Sequence, residues 1–223
     1  MKETQLSKEG SVRKWLPGLL ILADLAFTLA VYDRLPDRIA THFGVNGPDQ
    51  WSGRANAAFL LPAIALGVWG LMRGLPRIDP RRLNYEAFRS GYDLVVLGAV
   101  LLVVLIHVSL LANALGWPAP VERMVPFVVG GLIVLVGSVL PRAKSTWFFG
   151  IRTPWTLSND EVWARTHRVG GPLMMASGVM FMLLAFVRTP VAMIAVVTAA
   201  ALTGLATVPY SYFVWREVTA GKG

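Results

Sequence analysis

The chain has 223 residues, 55% of them hydrophobic and 15% charged, with a formal net charge of +8 and no cysteine. Long apolar blocks in place of short periodic stripes exclude an ordinary soluble domain and read as an integral membrane protein, and the lack of cysteine excludes disulfides and thiolate metal sites. A bilayer-crossing helix needs ~20 apolar residues, and six blocks of about that size predict an all-α integral membrane protein, a bundle of about six transmembrane helices with a short cytoplasmic amphipathic helix.

A basic arm, residues 1–14, leads into a first span from Trp15 to Tyr32. It resembles a signal peptide in outline, but Asp24 sits at its centre and no small-residue cleavage site follows, so it is expected to be retained. The loop from Leu35 to Arg54 reads LPDRIATHFGVNGPDQWSGR, in which Ile39 to Phe43 suits a short strand and Gly44 to Asp49 is rich in turn formers. His42, Asp37 and Asp49 are ligand types that zinc or copper accepts. Their spacing matches no metal pattern, so local turn hydrogen bonds are expected and no metal is assigned. The second span runs from Ala55 to Met72, closing a first region of 15–72. A basic loop, 73–92, follows, and then the third span, 93–115.

The third span carries Asp93 and His107, fourteen residues apart and therefore on nearly one face, but separated by ~21 Å. They cannot touch each other. Asp24 and His107 can pair if the first and third helices are neighbours; the plainer reading of each is a hydrogen bond across a helix interface. The last region, 124–215, holds spans at Met124–Leu140, Pro172–Val187 and Pro190–Trp215, with a tail of 216–223. Only Arg188 and Thr189 separate the last two, which predicts a tight antiparallel hairpin, and Pro209 is expected to kink the final span. Gly130, Gly131, Gly137 and Ser138, Gly171 and Gly178, and Ala195, Ala199 and Gly204 mark faces where helices approach closely. Trp15, Tyr32, Tyr92, Trp117, Trp147, Tyr210, Tyr212 and Trp215 lie near block ends and are expected in the headgroup zone.

Sixteen of the 21 Lys and Arg residues fall in the N-terminal arm, the second and fourth loops and the tail. The positive-inside rule therefore places both termini and those loops in the cytoplasm, in a cell membrane, and the first loop outside. The charge is a topology signal with an attraction to membrane lipid. No basic face interleaved with aromatics is present, so no nucleic acid partner is expected.

The fourth loop is the most polar connector, FGIRTPWTLSNDEVWARTHRVGG from Phe149 to Gly171. Pro154 should hold Thr153 extended. Ser158 and Glu161 form a capping-box pattern for a helix from Asn159 to Arg168, on which Asp160, Trp163 and His167 share a face and Glu161 pairs with Arg165. Gly170 and Gly171 should end it, leaving an interfacial helix anchored by Trp155 and Trp163. No metal-ligand spacing, nucleophile with a placed base or phosphate loop is present, so no catalytic residue and no cofactor is assigned, and the loop reads as a docking or gating surface.

That motif, with its flanking apolar blocks, resembles the signature of the SdpI family of bacterial membrane proteins, and YDRLPDRIATHFGVNGPDQW from Tyr32 to Trp51 with its flanking spans resembles the DUF1648 domain. Asp79, Pro80, Arg81, Asn84 and Tyr85 fit the same architecture. The resemblance implies six-helix immunity proteins that protect a cell against a secreted peptide toxin and recruit a cytoplasmic repressor to the membrane. On that reading Asp37, His42, Asn46, Asp49 and Trp51 are the outer candidates, and Arg152, Thr153, Trp155, Thr156, Trp163, Thr166 and His167 the inner ones. The alternative is a small ion-coupled transporter or permease using Asp24, Asp93 and His107, and an intramembrane enzyme ranks third.

Overall fold

The computed structural model describes residues 2–44, 47–187 and 189–220. Among them six helices are long and apolar enough to cross a membrane. In chain order the elements are α1 Lys2–Val31, the strands β1 Arg38–Gly44 and β2 Gly47–Gly53, α2 Arg54–Ile78, α3 Arg89–Ala114, α4 Val121–Val139, the short α5 Pro154–Ser158, α6 Asp160–Leu183, α7 Pro190–Leu205 and α8 Thr207–Ala220. The last two make one span, broken at Ala206. Pro209 has no N–H to give to the carbonyl of Leu205, so the ladder is interrupted where the kink was expected.

The spans form two groups of three. In the first, α1, α2 and α3 pack on one another through Ile21, Ala65, Val100 and Val104 at mid-height and through Leu35, Ala58 and Leu111 at the hairpin end. In the second, α6 packs on α4, α7 and α8, and α3 and α4 join the groups. The α4–α6 contact is a reciprocal glycine seam. A Cβ on Gly137 would lie 2.8 Å from the carbonyl oxygen of Gly171, and one on Gly178 would lie 2.7 Å from that of Gly130. Two glycines seven residues apart on each antiparallel helix thus meet their counterparts backbone to backbone, as small residues permit inside lipid. Gly131, expected on that face, instead has open space beside it.

Strands β1 and β2 pair antiparallel from Arg38 opposite Gly53 to Gly44 opposite Gly47, with an irregular register around His42. The predicted strand is therefore present, and its partner grows out of the residues read as turn formers. Arg54 closes the base of this hairpin, donating its backbone N–H to the carbonyl of Asp37 (2.9 Å) and its guanidinium to the Asp37 carboxylate (2.5 Å).

The fourth loop departs from the expected outline in three ways. The helix beginning after Asn159 does not stop at Gly170 but runs on to Leu183, making α6 a single helix from loop to far end. Both glycines sit inside it because they face neighbours too close for a side chain: a Cβ would meet Ile151 Cδ1 at 2.3 Å from Gly170 and Pro141 at 2.7 Å from Gly171. The cap of α6 is Asn159, whose side chain accepts from the N–H groups of Glu161 and Val162, and the capping box belongs to Thr153 and Thr156 at the start of α5. Trp163 is no headgroup anchor: it is 2% exposed, and its indole N–H donates to the carbonyl of Ala143 at 2.8 Å. Tyr92 is likewise buried, its hydroxyl donating to the carbonyl of Met72 at 2.6 Å, whereas Trp15, Trp117 and Trp147 are more than half exposed.

Candidate functional site

Opposite the hairpin, the second and fourth loops lock into one joint. Its aromatic centre is Tyr85, Phe88, Tyr92 and Phe149, stacked or edge-on at centroid separations of 5.1 to 6.4 Å. Around it the polar groups are paired with little slack. Asp79, 2% exposed, accepts from the N–H of Arg81 (2.7 Å), the N–H of Trp147 (2.9 Å) and the hydroxyl of Tyr85 (3.1 Å). Arg81 donates to the hydroxyl of Ser145 and to the carbonyl of Leu157 (2.9 Å), and lies 3.8 Å from Asp160 at the start of α6. Asn84 donates to the carbonyl of Ser145 at 2.7 Å. A planar guanidinium suits such a many-partnered position better than an ammonium.

On the other side of the joint, His167 and Trp163 stack with centroids 4.0 Å apart. The N–H of Ile151 points at His167 Nε2 (2.8 Å), so that nitrogen accepts, and the proton resides on Nδ1, which donates to the carbonyl of Trp163 (2.9 Å). The imidazole is thereby fixed in its neutral form, because a proton on Nε2 would face the Ile151 N–H. Gly150 makes this approach possible: its φ is +122°, and a Cβ there would lie 2.5 Å from Nε2. Thr153 and Thr156 cap α5 reciprocally, and Thr153 also meets the hydroxyl of Ser211 on α8 at 3.1 Å. The hydroxyl of Thr166 is buried without a partner among the described residues.

Of the inner candidates, the structure brings Thr153, Thr156, Trp163, Thr166 and His167 together as buried parts of this joint. Trp155 packs on Tyr212 (5.1 Å), and Arg152 is exposed, donating to the carbonyl of Trp147 at 2.6 Å. Asp79, Arg81, Asn84, Ser145 and Gly150 are equal partners in the joint, yet none ranked among the candidates. The signal available was a short run of charge and turn residues, Asp79 to Tyr85, directly after an apolar span.

At the hairpin end, His42 Nδ1 and Asp49 Oδ1 lie 2.5 Å apart across the strands, and Asp37 pairs with Arg54 rather than joining them. Trp51 is 53% exposed on β2, and Asn46 lies outside the described residues. Among the described residues no group of three or more metal-ligating side chains occurs. Beneath β1 opens a largely apolar cavity of about 770 Å³, reached by His42, Ile106 and Leu110, by Val121 and Pro126 of α4, and by Phe181 of α6.

Inside the bundle Asp24 and His107 do meet. His107 Nδ1 lies 2.8 and 3.0 Å from the two carboxylate oxygens, both side chains are essentially unexposed, and Nε2 has no partner among the described residues. Asp93 stands apart, 3.9 Å from Arg73.

These features define a multi-pass helical membrane protein with a β-hairpin and cavity at one end and a polar joint at the other. Residues 142–211 match the SdpI/YfhL protein family, and residues 19–66 match a domain of unknown function, DUF1648. The chain is also 23% identical over 172 residues, 75% of its own length and 79% of the relative's, to Immunity protein SdpI of Bacillus subtilis (strain 168). It is thus a multi-pass membrane protein that resembles the SdpI/YfhL family over its last two spans and DUF1648 over its first two. No solved structure matches it.

Proposed function

We propose that the chain is an immunity receptor that meets a secreted peptide toxin at its hairpin end and signals to a cytoplasmic partner, a repressor, through the joint at the other. The hairpin faces outward and both termini lie in the cytoplasm, as the Lys and Arg distribution favours. The observation that carries the reading is α6. It holds Trp163 and His167 in the joint and Phe181 at the cavity wall, about 21 Å further along at ~1.5 Å per residue. An apolar peptide segment entering the cavity displaces Phe181, and a rigid helix seamed to α4 by glycine carries the movement to Trp163 and Asp160. Around the exposed Arg152 a docking surface then opens or closes.

The test is competition in the native host. A strain lacking the gene should be killed beside its wild-type neighbours, rescued by the intact chain, and rescued poorly by Val125→Trp, which fills the cavity. Unimpaired growth of the deletion strain beside wild type rejects the reading.

The buried Asp24 and His107 pair supports a second reading, a small ion-coupled permease, since ionisable groups inside a membrane by default suggest function. In that case Asp24→Asn abolishes flux or protection in a protein that remains stably folded.

A further inference from the structure

The end of the bundle that carries the joint also holds a cleft of about 720 Å³, bounded by α1 at Lys14, the last turns of α2, the connector from Arg82 to Glu86 and the start of α3, with Tyr85 and Tyr92 of the joint in its wall. Five cations line it: Lys14, Arg73, Arg77, Arg82 and Arg89, against two carboxylates, Glu86 and Asp93. Asp93 is held near Arg73 at 3.9 Å. Among the residues from 14 onward whose side chains the structure describes, no carboxylate lies within ion-pair distance of Arg77, Arg82 or Arg89, and Arg77 donates to the carbonyl of Arg73 at 3.3 Å. The positive-inside rule asks for an excess of charge on this side. It does not ask that cations from three helices and the connector between two of them converge on one cavity.

The surroundings give the cleft a lipid address. Trp15, next to Lys14, is 63% exposed and packs edge-on against Trp69 at 6.4 Å, the disposition of an aromatic ring at the headgroup level. On the bilayer side of the basic rim, Leu71 is 62% exposed and Met72 lines the cleft, apolar side chains on the path that acyl chains would follow. The wall is preformed, because the Tyr92 hydroxyl ties α3 to the Met72 carbonyl of α2.

We propose that this cleft binds the phosphate of an anionic phospholipid of the adjoining leaflet, with Arg77, Arg82 and Arg89 on the headgroup and the acyl chains along Leu71 and Met72. A soluble phosphate compound shares the headgroup chemistry, but it would leave the apolar rim uncovered.

The full chain, purified in neutral detergent, is examined by native mass spectrometry with phosphatidylglycerol and with phosphatidylcholine. Phosphatidylglycerol should be retained preferentially and resist displacement by excess inorganic phosphate. Arg77→Gln with Arg82→Gln should weaken retention about 30-fold, and Arg123→Gln at the hairpin end should not change it. Equal retention of the two lipids overturns the proposal, as does full retention by the double variant. Displacement by inorganic phosphate overturns the lipid assignment in favour of a soluble ligand. If the double variant unfolds, Arg82→Gln alone decides: this exposed residue must still lower retention, and an unchanged value rejects the site.

Discussion

Replacing Asp79 by Ala should loosen the joint more than any other single polar truncation in it. The carboxylate is buried and accepts from three donors. Without it the hydroxyl of Tyr85 remains buried with no acceptor, at ~1–3 kcal/mol, while the half-buried N–H groups of Arg81 and Trp147 can turn to water. The cost is about 2 kcal/mol, which for a chain of this size lowers the unfolding temperature by roughly 4–8 °C. Asp79→Asn keeps one acceptor oxygen and turns the other position into a donor, so a smaller fall is expected. The assay is thermal unfolding in detergent followed by tryptophan fluorescence, since Trp147 and Trp163 both belong to the joint. The control is Asp37→Ala, which removes an exposed ion pair with Arg54 and should shift the midpoint little. If Asp79→Ala is no more destabilising than that control, the joint is not held as its hydrogen bonds indicate.

Gly150→Ala should lower stability by more than 1 kcal/mol, on the order expected for a side chain at positive φ driven against His167 and Trp163; an unchanged unfolding midpoint counts against the placement of His167. Asp24→Asn preserves an acceptor for His107 Nδ1 and should be nearly silent in unfolding and in protection, whereas Asp24→Ala leaves that nitrogen buried without a partner at ~1–3 kcal/mol. A stable but inactive Asp24→Asn protein favours the permease. The chain has no cysteine, so single cysteines are clean topology probes. In intact cells Gln50→Cys should react with a membrane-impermeant thiol reagent and Lys144→Cys should not, and the reverse pattern would overturn the orientation.

The six apolar blocks, their order, the break near Pro209 and the strand at Ile39–Phe43 were legible in the sequence because each is a local property. Block length follows from bilayer thickness, a proline removes one N–H from the helix ladder, and alternation with turn residues makes a strand. Spacing also showed that Asp93 and His107 cannot touch. What tertiary structure decided is who meets whom. Asp24 finds His107 only because α1 packs on α3, and Asp79 and Arg81, a short charged run in the sequence, become the clasp of the fourth loop because α3 and α4 bring the two loops to one end. Trp163 illustrates the difference: an indole near a block end has the chemistry of either a headgroup anchor or a buried donor, and the carbonyl of Ala143, 20 residues away in the chain, selects the second. Gly170 and Gly171 read locally as a helix stop, but the close approach of Ile151, Pro141 and Gly137 is satisfied by the same missing side chains and lets the helix run on. Local conformational preferences are worth about 1 kcal/mol per residue, and packing across the bundle outweighs them wherever the two disagree.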